Sequence, residues 1–322
     1  MPHVASILNS RHIQAQDENG HTILYLIVEQ RLEHLIEPLA EWIRQSSIPN
    51  VEGWMPLHQA VRNGDQLMAK AMIHAGSDIS AQDHSGRTAL HLAVHGDAIG
   101  IVQLLLDHGA NPSAADYNGR TPLHEGYGQS ITILQMLIKA GADIDPRQMQ
   151  RGLTPLYYEA ILNRESSARI LLEAGADPSI QTSTGETVLQ HATFRNHANI
   201  VRLLLEWGVD TTVRDEHGLT AVLVAAVSGA DECLQLLLKA GADISVLDNY
   251  GRNALHIAAG CGEESTVRLL LKKGLDSSAR DNRGYTPMCW AFDHEKKGVI
   301  QILQDAQKNR FARFMQRARI KR

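Results

Sequence analysis

The chain has 322 residues, a hydrophobic content of 43% with only 5% aromatics, and a formal charge of −5. These values suit a core of Ala, Leu, Ile and Val; the longest apolar run, Ala221–Val227, is too short to span a bilayer. Three cysteines, Cys233, Cys261 and Cys289, cannot all pair and form no CxxC, which argues against a disulfide scaffold and a zinc knuckle.

Charge is unevenly spread. From Asp305 to Arg322 seven Lys or Arg stand against one acidic residue, while the preceding 304 residues hold 24 basic and 35 acidic groups. The opening "MPHVASILNS" has too short an apolar run for a secretory signal, and the one Asn-x-Ser/Thr sequon, at Asn111, is blocked by Pro112. A soluble intracellular protein is expected, cytoplasmic with a nuclear pool as the alternative.

Glycine recurs at Gly20, Gly53, Gly86, Gly119, Gly152, Gly185, Gly218, Gly251 and Gly284, at a constant interval of 33 residues. A fixed period of this size marks a repeat array. Two residues after the glycine stands Thr22, Thr88, Thr121, Thr154, Thr187, Thr220 or Thr286, with Asn253 as an equivalent and Met55 as the exception. A hydroxyl or amide there reads as a helix N-cap, and a proline after it, as at Pro56, Pro122, Pro155 and Pro287, suits the first helical position. A short Ala-rich helix follows, as in "ALHLAV" and "ALHIAA". A turn at Gly64, Gly96, Gly229 or Gly262 then leads to a second helix with apolar residues at helical spacing, such as Ile101, Val102, Leu105 and Leu106. Gly76, Gly109, Gly141, Gly175, Gly208, Gly241 and Gly274 stand where a left-handed C-cap is needed. One such helix pair cannot bury its own stripes, so neighbours must stack.

Along the chain, residues 1–19 read as a half-repeat cap and 20–306 as nine units. The first unit is degenerate, with Pro38 inside its second helix, where a proline bends or breaks the ladder. The unit from Gly119 lacks one residue around "EGYGQS", gains one in the finger "DIDPRQMQR", and is expected to be the main irregularity. The last unit is also degenerate. Residues 307–322 form a basic tail in which Phe311, Phe314, Met315 and Ala318 follow i, i+3, i+4 and i+7. Three readings stay open for it: a cap extension over the last repeat, a nuclear import signal in "RARIKR", or an amphipathic helix for an acidic partner, a calmodulin-like protein or an anionic membrane.

The segments "GRTPLH", "GRTALHLAV", "IVQLLLDHGANPS" and "LLLKAGADIS" resemble the ankyrin repeat over nearly the whole chain. The resemblance implies an all-α repeat solenoid, a curved array of helix pairs each followed by a hairpin-like finger. It is highly specific for fold and weak for function.

Chemistry finds little support. His58, His91, His124 and His256 hold one slot in four units, filled elsewhere by Tyr25, Tyr157, Gln190, Leu223 and Cys289, so they read as links between repeats and not as metal ligands. "HEGYG" at His124 and "HEKKG" at His294 lack the second histidine of a metalloprotease helix, and no nucleophile elbow or phosphate loop occurs. No enzyme activity, cofactor or metal is expected.

The resemblance implies that residues flanking the leading glycine and ending the first helix face a concave groove. Carried onto this chain, they are Trp54, Arg62 and Asn63; His84, Arg87 and His95; Tyr117, Asn118 and Arg120; Phe194 and Arg195; Tyr250 and Arg252; Arg283, Tyr285 and His294. Tyr127 and Gln129 should lie near the same surface. Aromatics and arginines are the residues that binding hot spots favour. The expectation is a monomeric protein-protein interaction scaffold or adaptor, with an acidic partner element facing Arg87 and Arg120. Alternatives are a nuclear or signalling cofactor that uses residues 308–322 for localisation or nucleic-acid contact, and an accessory protein to an enzyme pathway.

Overall fold

The structure, a computed structural model, describes residues 15–45, 48–125 and 130–320; the side chains of 45 and 309–320 fall outside the description. It is an all-α repeat solenoid, with no strand among the described residues and one isolated bridge between Gln82 and Thr88. Two compact bodies divide the chain, Met1–Gln150 and Arg151–Arg322.

In the first body the helix pairs are Pro56–Arg62 with Gln66–His74, and Ala89–His95 with Ile99–Asp107. Before them, Ile23–Glu29 is followed by two short 3₁₀ turns, Glu33–Leu35 and Glu37–Leu39, and the helix Ala40–Gln45. Pro38 sits in the second of these turns, so the expected break occurs. After them, the described residues of the unit from Gly119 form a 3₁₀ turn, Pro122–His124, and the second helix Ile131–Lys139. Of the expected half-repeat cap over 1–19, residues 1–14 lie outside the described residues.

The second body holds five pairs: Pro155–Ile161 with Glu165–Glu173, Val188–Phe194 with Ala198–Glu206, Ala221–Ser228 with Asp231–Lys239, Ala254–Cys261 with Glu264–Lys272, and Pro287–Asp293 with Lys297–Ile320. Within each body first helices pack on first helices and second on second. The close approach is possible because the position seven after the leading glycine is a fully buried alanine: Ala60, Ala93, Ala192, Ala225, Ala258 and Ala291. Glu159 takes that slot in one unit and is 1% exposed. Burial raises its carboxyl to about 7, against the opposing pull of Arg164 and a hydrogen bond with Ser167.

Local sequence explains several helix starts, although Thr22 and Thr220, expected as caps, make no side-chain cap bond. Thr154, Thr187 and Thr286 each accept a hydrogen bond at 3.3–3.4 Å from the N–H three residues on, and Asn253 does so at 3.1 Å. The turn between paired helices has a left-handed residue, which is Gly64, Gly229 or Gly262 in three units, at φ 67°, 67° and 92°. Gly96 has an ordinary negative φ, and the left-handed residue is Asp97, at φ 52°. Asn163, Asn196 and Glu295 do the same in other units, so the slot does not require glycine.

The fingers join one repeat to the next. Asp83 Oδ1 accepts from the backbone N–H groups of Ser85 and Arg87, folding the turn, and Gly86 completes it at φ 81°. A Cβ on Gly86 would lie 2.6 Å from the backbone nitrogen of Tyr117, whose N–H donates to Ser85 O at 3.0 Å. The leading glycine is therefore required both by its backbone conformation and by the neighbouring finger.

Histidines add a second link. His91 Nδ1 accepts from the Thr88 N–H at 3.1 Å, and its Nε2 lies 3.1 Å from Arg120 O in the next unit. His256 reaches Ala279 O and Tyr285 O, each at 3.1 Å. A neutral imidazole with the proton on Nε2 satisfies both ends. Gln190 makes the same connection without titrating: its Oε1 accepts from Thr187 N–H at 2.7 Å and its Nε2 donates to Leu219 O at 2.6 Å.

Burial pulls His58, His91 and His256 below the ordinary imidazole value of 6.5. The unfolded chain therefore takes up protons first, and this contribution to stability is present above pH 6.5 and lost as pH falls below it. Urea unfolding between pH 8 and pH 5 should show the loss, approaching about 1.4 kcal/mol per pH unit for each histidine. His91→Gln with His256→Gln should keep the stability at pH 8 and flatten the acid-side slope.

Candidate functional site

The first body carries a groove of about 610 Å³ lined by Glu52, Trp54, Arg62, Asp83, Arg87 and His95. Trp54 is only 7% exposed, and the Arg62 guanidinium lies 4.4 Å from its ring centroid. The tryptophan thus supports an exposed arginine and offers little surface itself. Asn63, at the helix end, accepts from Gln59 Nε2 at 2.9 Å.

Arg87 binds the buried Asp83 carboxylate, 2.8 Å through Nη2 and 2.9 Å through Nε. Arg120 and His95 share Glu125, each at 3.2 Å, although that carboxylate is nearly buried. Both arginines expected to attract an acidic partner are therefore already balanced by a carboxylate of the chain itself. What remains at the surface is orientation: a fixed planar fork edge, beside Tyr117 at 64% exposure. Tyr127 and Gln129 lie outside the described residues.

The second body builds a tighter cluster near its end. The Arg252 guanidinium lies 5.1 Å from the ring centroid of Tyr250 and 5.0 Å from that of Trp290. Asp248 holds Arg252 Nε at 2.7 Å and also accepts from the N–H groups of Tyr250 and Arg252. Trp290 donates its indole N–H to Asp281 at 2.9 Å, stacks on His294 at 5.6 Å, and meets Tyr285 edge-on at 6.5 Å. Buried carboxylates thus lock the arginine and the indole while Tyr250 and Tyr285 stay exposed. Such a surface loses little side-chain entropy on binding. Phe194 is exposed on another helix end and is not part of this cluster's contacts.

A third feature, a cavity of about 340 Å³, is lined by Arg151, Tyr157, Glu186 and His191 among others. Tyr157 donates to Glu186 at 2.6 Å, and His191 approaches the same carboxylate at 3.6 Å. Burial outweighs all else on Tyr157 and drives its phenol far above the ordinary range, so it serves as a hydrogen-bond donor.

Sequence reasoning missed Trp290, His191 and Glu125. All three stand six residues after a leading glycine, a slot that also holds Gln59, Leu92, Tyr158, Val224 and Ile257. That slot's freedom from the repeat pattern was the available signal.

Among the described residues no group of three or more His, Cys, Asp or Glu is gathered to hold a metal ion, and no helix is long and apolar enough to cross a membrane. Burial raises the Cys233 thiol to about 12, which makes it a core group and not a nucleophile.

The cluster around Asp248 yields a direct test. Asp248→Ala removes the acceptor of two backbone N–H groups and of Arg252, and should cost about 2–4 kcal/mol. Asp248→Asn, which can still accept the backbone bonds, should cost about 1 kcal/mol. Urea denaturation measures both.

Comparison with known proteins agrees with this architecture. The family model described as "Ankyrin repeats (3 copies)" matches residues 2–83, 68–148, 156–248 and 222–312. The chain is 23% identical over 181 residues to a putative ankyrin repeat protein, L371, of Acanthamoeba polyphaga mimivirus, covering 56% of this chain and 20% of that one. It is 28% identical over 174 residues to the nuclear factor NF-kappa-B p105 subunit of Gallus gallus, covering 53% of this chain and 14% of the relative. With NF-kappa-B inhibitor delta of Mus musculus the identity is 32% over 87 residues, 26% of this chain and 27% of the relative. In each case the match spans about a quarter or less of the relative's length. The solved ankyrin repeat domain of Bcl-3, described as a unique member of the IkappaB protein family, superposes with a TM-score of 0.62 at 28% identity, over 69% of this chain and all of that one. With its nine-fold 33-residue phase, its linked fingers and these matches along nearly its full length, the chain belongs to the ankyrin repeat family.

Proposed function

We propose that this chain is a non-catalytic adaptor that holds a partner protein on the fingers and first helices of its repeats. The observation that carries the reading is the clamped cluster of Tyr250, Arg252, Tyr285 and Trp290. Two exposed rings and one oriented guanidinium are fixed in advance by buried Asp248 and Asp281. Tryptophan, tyrosine and arginine in such a setting carry most of the energy at protein interfaces. Arg62, Arg87, His95, Tyr117 and Arg120 provide a second such surface in the first body. Because its arginines are internally paired, the partner contact there rests on hydrogen bonds and ring faces more than on net charge.

Partners recovered by affinity purification supply the test. Tyr250→Ala, Tyr285→Ala and Arg62→Ala should each weaken binding by about tenfold or more while the helical spectrum stays unchanged. Unaltered affinity in all three would remove these surfaces from the proposal.

A second reading, a signalling regulator, is favoured by the likeness to the NF-kappa-B and IkappaB-family proteins. It places the chain in the cytoplasm with a nuclear pool. Deleting residues 308–322 from a tagged chain should deplete that pool on imaging; an unchanged distribution removes the import role of "RARIKR".

A further inference from the structure

The last helix runs without a break from Lys297 to Ile320, across the point where the repeat pattern ends. It packs on the second helix of the preceding unit and on its own first helix. Val299, Ile302 and Leu303 are buried there, and Ala306 is half-buried. At about 100° per residue these positions share one arc of the helix surface. Gln301, Gln304 and Lys308, on the opposite arc, are exposed, and so is Gln307, about 90° round from the buried centre.

Continuing the same register past Ala306 gives a result the sequence stripe alone conceals. Positions 311, 314, 315 and 318 (Phe, Phe, Met and Ala) are centred about 120° round the axis from the arc the repeat buries. They extend the arc of Gln304, Gln307 and Lys308 instead. The positions that extend the buried arc are Arg310, Arg313 and Arg317. One unbroken helix cannot turn both stripes to the same neighbour. The apolar stripe of the tail is thus not a prolongation of the repeat core.

We propose that residues 307–320 form a peripheral membrane contact, a helix that lies in the interface of an anionic phospholipid bilayer. Lys308 and Arg319 flank the stripe on one side, Arg310 and Arg317 on the other, and no acidic residue occurs from 306 to 322. Basic flanks around Phe and Met suit a surface that is uniformly negative above and apolar beneath. A polynucleotide offers the charge without a reward for the stripe. A protein groove specifies its ligand with patterned contacts, and this segment carries one sign only. The acidic excess of the preceding 304 residues does not oppose the contact. Fourteen helical residues span about 21 Å, against a Debye length of about 8 Å in physiological salt. This inference is independent of the adaptor reading.

Co-sedimentation of the full chain with phosphatidylcholine vesicles, alone or with about one-third phosphatidylserine, tests it. The full chain should favour the anionic vesicles by about a hundredfold, and Phe311→Ser with Phe314→Ser, or Arg310→Gln with Arg313→Gln and Arg317→Gln, should abolish most of that preference. Gln316→Ser, on the far arc, should leave it intact. The melting temperature of the repeats should not change in the phenylalanine variant. A clear fall there would make the stripe part of the core and overturn the proposal. So would equal binding to both vesicle types, indifference to the phenylalanine change, or tight binding to duplex DNA or calcium-loaded calmodulin in place of vesicles.

Discussion

A backbone N–H of one finger donates to a carbonyl of the finger before it: Tyr117 to Ser85 O, Met149 to Asn118 O, Ser183 to Arg151 O, Asn282 to Tyr250 O. Side chains repeat the link, as Gln82 Nε2 does with Ala115 O and Arg214 Nη1 with Leu247 O, both 33 positions apart. This spacing is the constraint on which the rest depends. It holds successive turns in contact, requires glycine where the next finger crosses, and fixes how far apart the helix pairs can stand. The unit from Gly119 shows its force: it loses a residue ahead of its second helix and regains one in its finger, so the phase survives.

Because the fingers and the buried alanines carry the stacking, other slots are free to vary. The histidine slot illustrates a substitution that preserves geometry: His91 and Gln190 bridge the same two groups, with or without a titrating ring. Glu159 illustrates the opposite. A carboxyl in an alanine slot stays folded with its proton retained near neutrality, because burial penalises its charge more than Arg164 stabilises it.

The surface residues behave as supported groups and not as isolated charges. Asp83, Asp248 and Asp281 first fold a turn with Oδ1 and then use Oδ2 to hold Arg87, Arg252 or the Trp290 indole. The residue that closes a finger thereby orients the residue that faces outward. Structure and recognition surface share one carboxylate, and the exposed tyrosines gain a rigid backing from it.

The nine-fold phase, the N-caps at Thr154, Thr187, Asn253 and Thr286, the Pro38 break and the irregular Gly119 unit could all be read from the sequence, since each depends on residues close together in the chain. The candidate surface was only half legible. Tyr250, Arg252 and Tyr285 follow from their place beside a leading glycine, but Trp290 joins them only through the stack, and Trp54 proved to be a buried support. The left-handed residue of the inter-helix turn falls on Gly64, Gly229 and Gly262, but in other units on Asp97, Asn163 and Glu295, which no glycine marks in the sequence. Pairing of Arg87 with Asp83 and of Arg120 with Glu125, and the register that one continuous helix gives the tail positions against the last repeat's buried arc, depend on distances and angles around an axis. Local sequence sets the repeat; only the stacked helices decide which charges are already balanced and which faces are left to meet another molecule.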